Sequence, residues 1–251
     1  MKPARQTTIQ PVGALDVMIN LRRIAASLLF SAVALVTTPA CLPAQPKPGH
    51  LDEVLRQMDA ASLKFQSAEA DFRWDLYERV VKQTTTQTGT IYFKKQGATT
   101  VMGAKVVSPS SKIIEFRNGV VRLFDPGTDH LTIIDATKNK AQFESFLTVG
   151  FGGSGKDLAK AWTISDLGDE MIDGVQTAKL DLVAKDPAVR NNCTHMTIWV
   201  DPVRGVQLKQ SLYMPSEDYR TAVYANIKYN QKVDEKPYQI NTNSKTTRDE
   251  H

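Results

Sequence analysis

Asn118-Gly119-Val120-Val121-Arg122-Leu123-Phe124-Asp125-Pro126-Gly127 is one strand with a turn attached at each end. Asn-Gly offers the two residues that tolerate positive φ in a tight hairpin, and Asp-Pro-Gly suits a slightly longer one. Between the turns Val121 and Leu123 alternate with Arg122, the period of a strand with one dry and one wet face. The same alternation runs outward in both directions. Ile91/Phe93 stand against Tyr92/Lys94, and Ile114/Phe116 and Leu131/Ile133 follow. Later come Ala178/Leu180/Leu182, Met196/Ile198/Val200, Val206/Leu208/Leu212 and Val223/Ala225/Ile227/Tyr229. These alternate with Lys179/Asp181, Thr197/Trp199, Gln207/Lys209 and Tyr224/Asn226/Lys228. Asp173-Gly174 and Asp201-Pro202 with Gly205 mark further turns. The chain is therefore expected to be mainly β with some helix (α+β), an antiparallel meander of about ten or eleven strands, dry on one face.

Two segments depart from this period. Leu51, Val54, Leu55, Met58, Ser62 and Phe65 recur at three- and four-residue spacing, which predicts an amphipathic helix over 51–66. Phe72, Trp74 and Leu76 then restore the alternation. Between the halves, Phe143, Phe146, Leu147 and Phe151 precede the glycine-rich Gly150–Gly155, with Leu158 and Trp162 after it, and short helices or a loop are expected there. A sheet of ten or so sequential strands curls. Two small helical pieces cover its inner face incompletely, which predicts an apolar cavity open to one side.

The N-terminal region predicts export. Ile24–Val36 carries no charge, follows Arg22 and Arg23, and gives way to Thr37, Thr38, Pro39 and Ala40. It is short of the ~20 apolar residues that span a bilayer and has the layout of a cleaved leader. Met18 stands close enough to Arg22 to serve as an alternative start. The expected organisation is a signal peptide over 1–44, a Pro-rich linker over 45–50, a domain over 51–240 and a disordered polar tail over 241–251. Two readings of Cys41 stand: an acylated first residue of a lipoprotein, or a bystander to ordinary cleavage between Ala40 and Gln45. Residues 1–44 hold Lys2, Arg5, Arg22 and Arg23 against Asp16. Of the 31 basic and 27 acidic residues in the chain, the remainder thus keeps 27 and 26. A nearly neutral surface without clustered basic residues argues against nucleic acid as a partner.

Several stretches together resemble the LolA-type carriers, the outer membrane lipoprotein-sorting proteins, over most of 51–240. They are Gly89-Thr90-Ile91-Tyr92-Phe93-Lys94-Lys95, Asn118 through Pro126, His130-Leu131-Thr132-Ile133, Lys179-Leu180-Asp181-Leu182, and Ile198-Trp199-Val200-Asp201-Pro202 through Gly205. The resemblance implies an unclosed β-barrel under a lid of helices. Its hollow would hold the acyl chains of a lipoprotein, taken from an inner-membrane releasing complex and passed to an outer-membrane acceptor. It implies a monomer without cofactor and without enzymatic activity. It also implies a lid latch at Lys95, where the family usually has arginine followed by proline; lysine followed by Gln96 lacks the planar fork that binds several carbonyls at once.

Phe72, Trp74, Phe93, Met196 and Ile198 are the candidate wall of such a hollow, with plain core packing as the alternative. Phe143, Phe146, Leu147 and Phe151 are the candidate lid. Gly150-Phe151-Gly152-Gly153-Ser154-Gly155-Lys156 matches the phosphate-loop spacing, but Asp157 stands where Ser or Thr would bind magnesium. The glycines read instead as a hinge. His50, His130, His195 and His251 are scattered, Cys193-Thr194-His195 lacks two further zinc ligands, and no G-x-S-x-G elbow occurs, so no metal or catalytic centre is expected. A soluble carrier and a membrane-attached acceptor or envelope sensor of the same fold remain as alternatives. The mass of the mature N terminus separates them: diacylglycerol on Cys41 gives the attached form, an unmodified terminus the soluble one.

Overall fold

The computed structural model describes residues 49–97, 99–135, 137 and 149–251, so the leader, Cys41, and the lid candidates Phe143, Phe146 and Leu147 lie outside the described residues. A helix, α1 (His50–Lys64), opens the described chain and leads into β1 (Ser67–Glu78). Five strands follow as a meander: β2 (Gln83–Gln96), β3 (Thr99–Ser108), β4 (Lys112–Arg117), β5 (Val120–Asp125) and β6 (His130–Asp135). After α2 (Gly155–Ala161) come β7 (Trp162–Ile172), β8 (Val175–Ala184), the single turn α3 (Pro187–Arg190), β9 (His195–Asp201), β10 (Val206–Tyr213) and β11 (Tyr219–Tyr229). A 3₁₀ turn (Lys236–Tyr238) and β12 (Thr247–Glu250) end the chain.

All twelve strands form one sheet in the order β12-β6-β5-β4-β3-β2-β1-β11-β10-β9-β8-β7, and its edges do not pair with each other. β1 joins the two meanders, with Phe72 opposite Gly89 on one side and Tyr224 on the other. The sheet is an unclosed barrel. Every pairing is antiparallel except β12 with β6. The turns fall where the sequence placed them: Asn118 and Gly119 both have positive φ, as do Asp173 and Gly174.

α1 buries Val54, Met58 and Ala61 and leaves Leu63 exposed on its other side, so one greasy face meets the sheet. Its N-terminal residue His50 sits between Asp166 (2.7 Å) and Asp169 (3.1 Å) at the bulge of edge strand β7. Its C-terminal end is held by Asn230, whose amide oxygen accepts from the Gln66 N–H at 2.7 Å while its Nδ2 donates to the Lys64 carbonyl at 2.9 Å. α1 is thus a strut tied at both ends to strands.

The chain after β11 packs back on the sheet. From β11 the chain crosses the outer face, where Tyr238, 2% exposed, packs edge-on against Tyr92 with Val101 and Val233. Gly103 makes the room, since a Cβ there would stand 2.4 Å from the Tyr92 ring. Glu235 accepts from Lys94 (2.7 Å) and Arg117 (3.2 Å), which holds its carboxyl below the usual range, and the Tyr238 hydroxyl donates to Glu69 at 2.7 Å. β12 then covers the backbone edge of β6. It raises the strand count to twelve, and its polar residues suit an edge strand that is wet on both faces. The outer face is therefore not uniformly wet.

Tyr238→Ala removes this anchor and leaves a void beside Tyr92. It is expected to lower unfolding free energy by about 3 kcal/mol in a urea titration followed by circular dichroism.

Candidate functional site

The concave face is organised around Phe151, which is fully buried. Its backbone bridges to Val206 of β10, with Gln207 N–H donating to the Gly150 carbonyl at 2.7 Å. Its ring stacks on Phe93 of β2, centroids 4.0 Å apart and 10° from parallel, and meets Tyr224 of β11 edge-on at 5.1 Å. β2 and β10 are three strands apart in the sheet order. One side chain reaches both because the sheet curls around it.

The flanking glycines permit this seat. Gly150 (φ +71°) and Gly152 (φ +82°) occupy the left-handed region, and Cβ atoms there would lie 2.5 Å from Gln207 and 2.4 Å from Phe65. Gly155 lets α2 approach α1, since a Cβ would be 2.2 Å from the Leu55 carbonyl oxygen. These are close-approach glycines rather than the expected hinge. The phosphate-loop spacing has a structural explanation too: Ser154 caps α2 by accepting from Asp157 N–H, and Lys156 N–H donates to Asp59 of α1.

One cavity lies beneath the described part of the cover. It measures about 20 Å³ and sits between Met58, Val149, Gly150, Gly153, Ser154 and Leu158, room for about one water and far short of a fatty tail. The helices α1 and α2 and the Phe151 segment together cover the concave face, with Val54, Met58, Phe151 and Leu158 buried.

Of the candidate wall residues, Phe72 and Phe93 are buried on this face, and Trp74, half-buried, stacks on Phe72 at 3.9 Å. Met196 and Ile198 are fully buried on β9, two strands beyond β11. Phe93 and Phe72 meet the Phe151 neighbourhood directly. Lys95 is exposed, and its backbone N–H donates to the Gln66 carbonyl at 2.8 Å, while its side chain has no polar partner among the described residues. The adjacent Lys94 holds Glu235 instead.

Tyr224 went unrecognised as a site residue because the alternation of β11 was read in the opposite phase. Ala222 and Tyr224 are buried, whereas Ala225 and Asn226 are exposed. The register of β11 against β1 shifts past Ala225, where Asn226 has φ +52°, so an uninterrupted period of two assigns the faces wrongly. Burial pushes the Tyr224 phenol up to about 12, partly offset by hydrogen bonding from Trp74 and Gln207. The Gln207 Oε1 atom is buried without a donor. Cys193 is buried, its thiol pushed up to about 12 by burial, and therefore inert. His195 is hydrogen-bonded to Asp181 and stacks on Tyr213, away from the concave face. Among the described residues no cluster could hold a metal ion, and no helix is long and apolar enough to cross a membrane.

The architecture is an open antiparallel sheet wrapped on a helical cover. Solved structures similar to the chain include an outer membrane lipoprotein-sorting protein domain from Vibrio parahaemolyticus, with 11% identity, 74% of this chain and 94% of that chain covered, and a TM-score of 0.41. A LolA superfamily protein from Nitrosomonas europaea aligns at 11% identity over 76% of this chain and 97% of its own, with a TM-score of 0.37. The MucA/MucB complex of Pseudomonas aeruginosa aligns at 13% identity over 76% of this chain and 61% of that chain, with a TM-score of 0.49. The likeness is one of fold. No family model and no curated protein matches the chain.

The His50 clamp sets a pH dependence. Hydrogen bonding to Asp166 raises the His50 pKa above its ordinary 6.5, against a smaller effect of burial. A raised folded-state value stabilises fully below 6.5 and is lost as pH rises through that higher value. Thermal midpoints of the wild type should therefore fall above pH 6.5, and His50→Gln should lose this part of the slope.

Proposed function

We propose that the chain is an exported envelope protein that binds an acyl chain on the concave face in exchange for Phe151, and carries it between membranes. The observation that supports this most directly is Phe151 itself: an aromatic ring on a glycine-flanked segment, inserted from outside the sheet between Phe93 and Tyr224. A strand of the sheet could not have contributed that ring. It occupies, from a connection, the apolar surface that a guest would otherwise cover.

Magnitudes favour the exchange. Vacating a buried phenylalanine costs about 3–5 kcal/mol. An acyl chain that buries about fourteen methylenes gains roughly 11 kcal/mol at ~0.8 kcal/mol each. The surplus survives partial exposure of the tail. Phe72 and Trp74 extend the apolar face beyond Phe151. No bond is made or broken in this function, so no catalytic group is required. Donor and acceptor membranes would supply and receive the lipid, and a leader over 1–44 would export the protein to the space between them.

A second reading is favoured by the position of Cys41 directly after the apolar leader segment. If acylated there, the same domain acts as a tethered acceptor or sensor.

Phe151→Ala empties the seat in advance. It is expected to lower unfolding free energy by about 3–5 kcal/mol and to bind a fluorescent neutral acyl ester at least tenfold more tightly than the wild type in a titration. Unchanged affinity would show that Phe151 does not compete with a guest.

A further inference from the structure

Arg220 stands on β11 two residues before Ala222 and four before Tyr224, and the strand period places all three on the concave face. Its cross-strand neighbours are Leu76 of β1 and Leu212 of β10. The side chain is half-buried, and desolvation draws its pKa down. Among the described residues it has no carboxylate partner and makes no hydrogen bond; its electrostatic neighbour is the Tyr224 phenol, neutral at physiological pH. Arg248 of the edge strand β12 is likewise without a carboxylate among the described residues but is exposed to solvent, whereas five other arginines of the strands and their hairpins differ. Arg73, Arg79, Arg117, Arg122 and Arg204 each pair with a carboxylate, within 2.6 to 3.2 Å.

An uncompensated cation among leucines is unfavourable for the empty fold. It becomes favourable when a guest brings the missing charge. A guanidinium fork matches one carboxylate in two parallel hydrogen bonds with unit charge on each side. The four residues from Arg220 to Tyr224 span about 13 Å of strand, so a tail running from the guanidinium along the concave face arrives at the Phe151 ring. The buried, donorless Gln207 oxygen is a second unsatisfied group beside that path.

We propose that Arg220 receives the carboxylate of a long-chain fatty acid whose tail takes the place of Phe151 between Phe93 and Tyr224. This rests on the reading of the concave face as an acyl-binding surface and specifies its ligand: a single-chain anionic amphiphile rather than an uncharged acylated terminus.

The full chain is titrated with a fluorescent C18 polyene fatty acid and with its methyl ester, as wild type, Arg220→Gln and Arg220→Lys. The wild type should bind the acid at least tenfold more tightly than the ester. Arg220→Gln should weaken the acid about tenfold and leave the ester unchanged, with Arg220→Lys intermediate. Equal binding of acid and ester by the wild type overturns the Arg220 assignment and leaves the acyl-binding reading in place, as does an undiminished preference in Arg220→Gln. Failure of both probes to bind overturns both. Displacement of the acid by phosphatidylglycerol at lower concentration than by oleate overturns the choice of carboxylate. The wild-type acid-to-ester comparison decides the matter even if a variant does not fold.

Discussion

An antiparallel sheet that curls without closing must have its concave face covered by something other than strands, and this constraint organises the molecule. The cover comes from two places in the chain: α1 before the sheet, and the Phe151 segment with the adjoining α2 between its halves. Each is tied by polar contacts at its margin and by apolar contacts at its centre. His50 and Asn230 hold the ends of α1, Ser154 caps α2, and the stack of Phe151 on Phe93 fixes the middle. A cover built from connections is held to the sheet by little strand pairing, the Phe151 bridge to Val206, so its displacement leaves the ladders of the sheet intact.

The opposite face solves a different problem. β6 ends the first meander and would present a bare row of backbone donors and acceptors. The C-terminal strap removes that liability by laying β12 along it, after crossing β3 and β4 on the way and burying Tyr238 against Tyr92. The strap and the cover thus divide the two faces. One is fixed by a dense set of charged contacts around Glu235, and the other is fixed mainly by aromatic packing, which a greasy guest can imitate.

Much of the fold was legible in the sequence because turns and alternation are local. Asn118-Gly119 and Asp173-Gly174 needed only their own φ preferences to mark hairpins, and the helix over 51–66 needed only its spacing. The candidate site was legible in part. Phe72 and Phe93 could be named as residues of a candidate wall and Phe151 as one of a candidate lid. That Phe151 seats itself between Phe93 and Tyr224 could not be read, since those residues are far apart in the chain and the contact exists only once the sheet has curled. The phase of β11 was lost for a similar reason. The bulge near Asn226 interrupts the period of two, and no local residue preference announces it. The polar tail looked disordered because composition alone does not distinguish a solvated coil from a strand whose two faces are both wet.

The sequence by itself determined the element types and the order of the hairpins, which depend on neighbours within a few residues. Tertiary structure alone decided how the concave face is covered, that β12 lies along a sheet edge, and that Arg220 faces inward without a counter-charge among the described residues. Each of these depends on which distant strands become adjacent, and adjacency is settled by the curl of the whole sheet rather than by any segment of it.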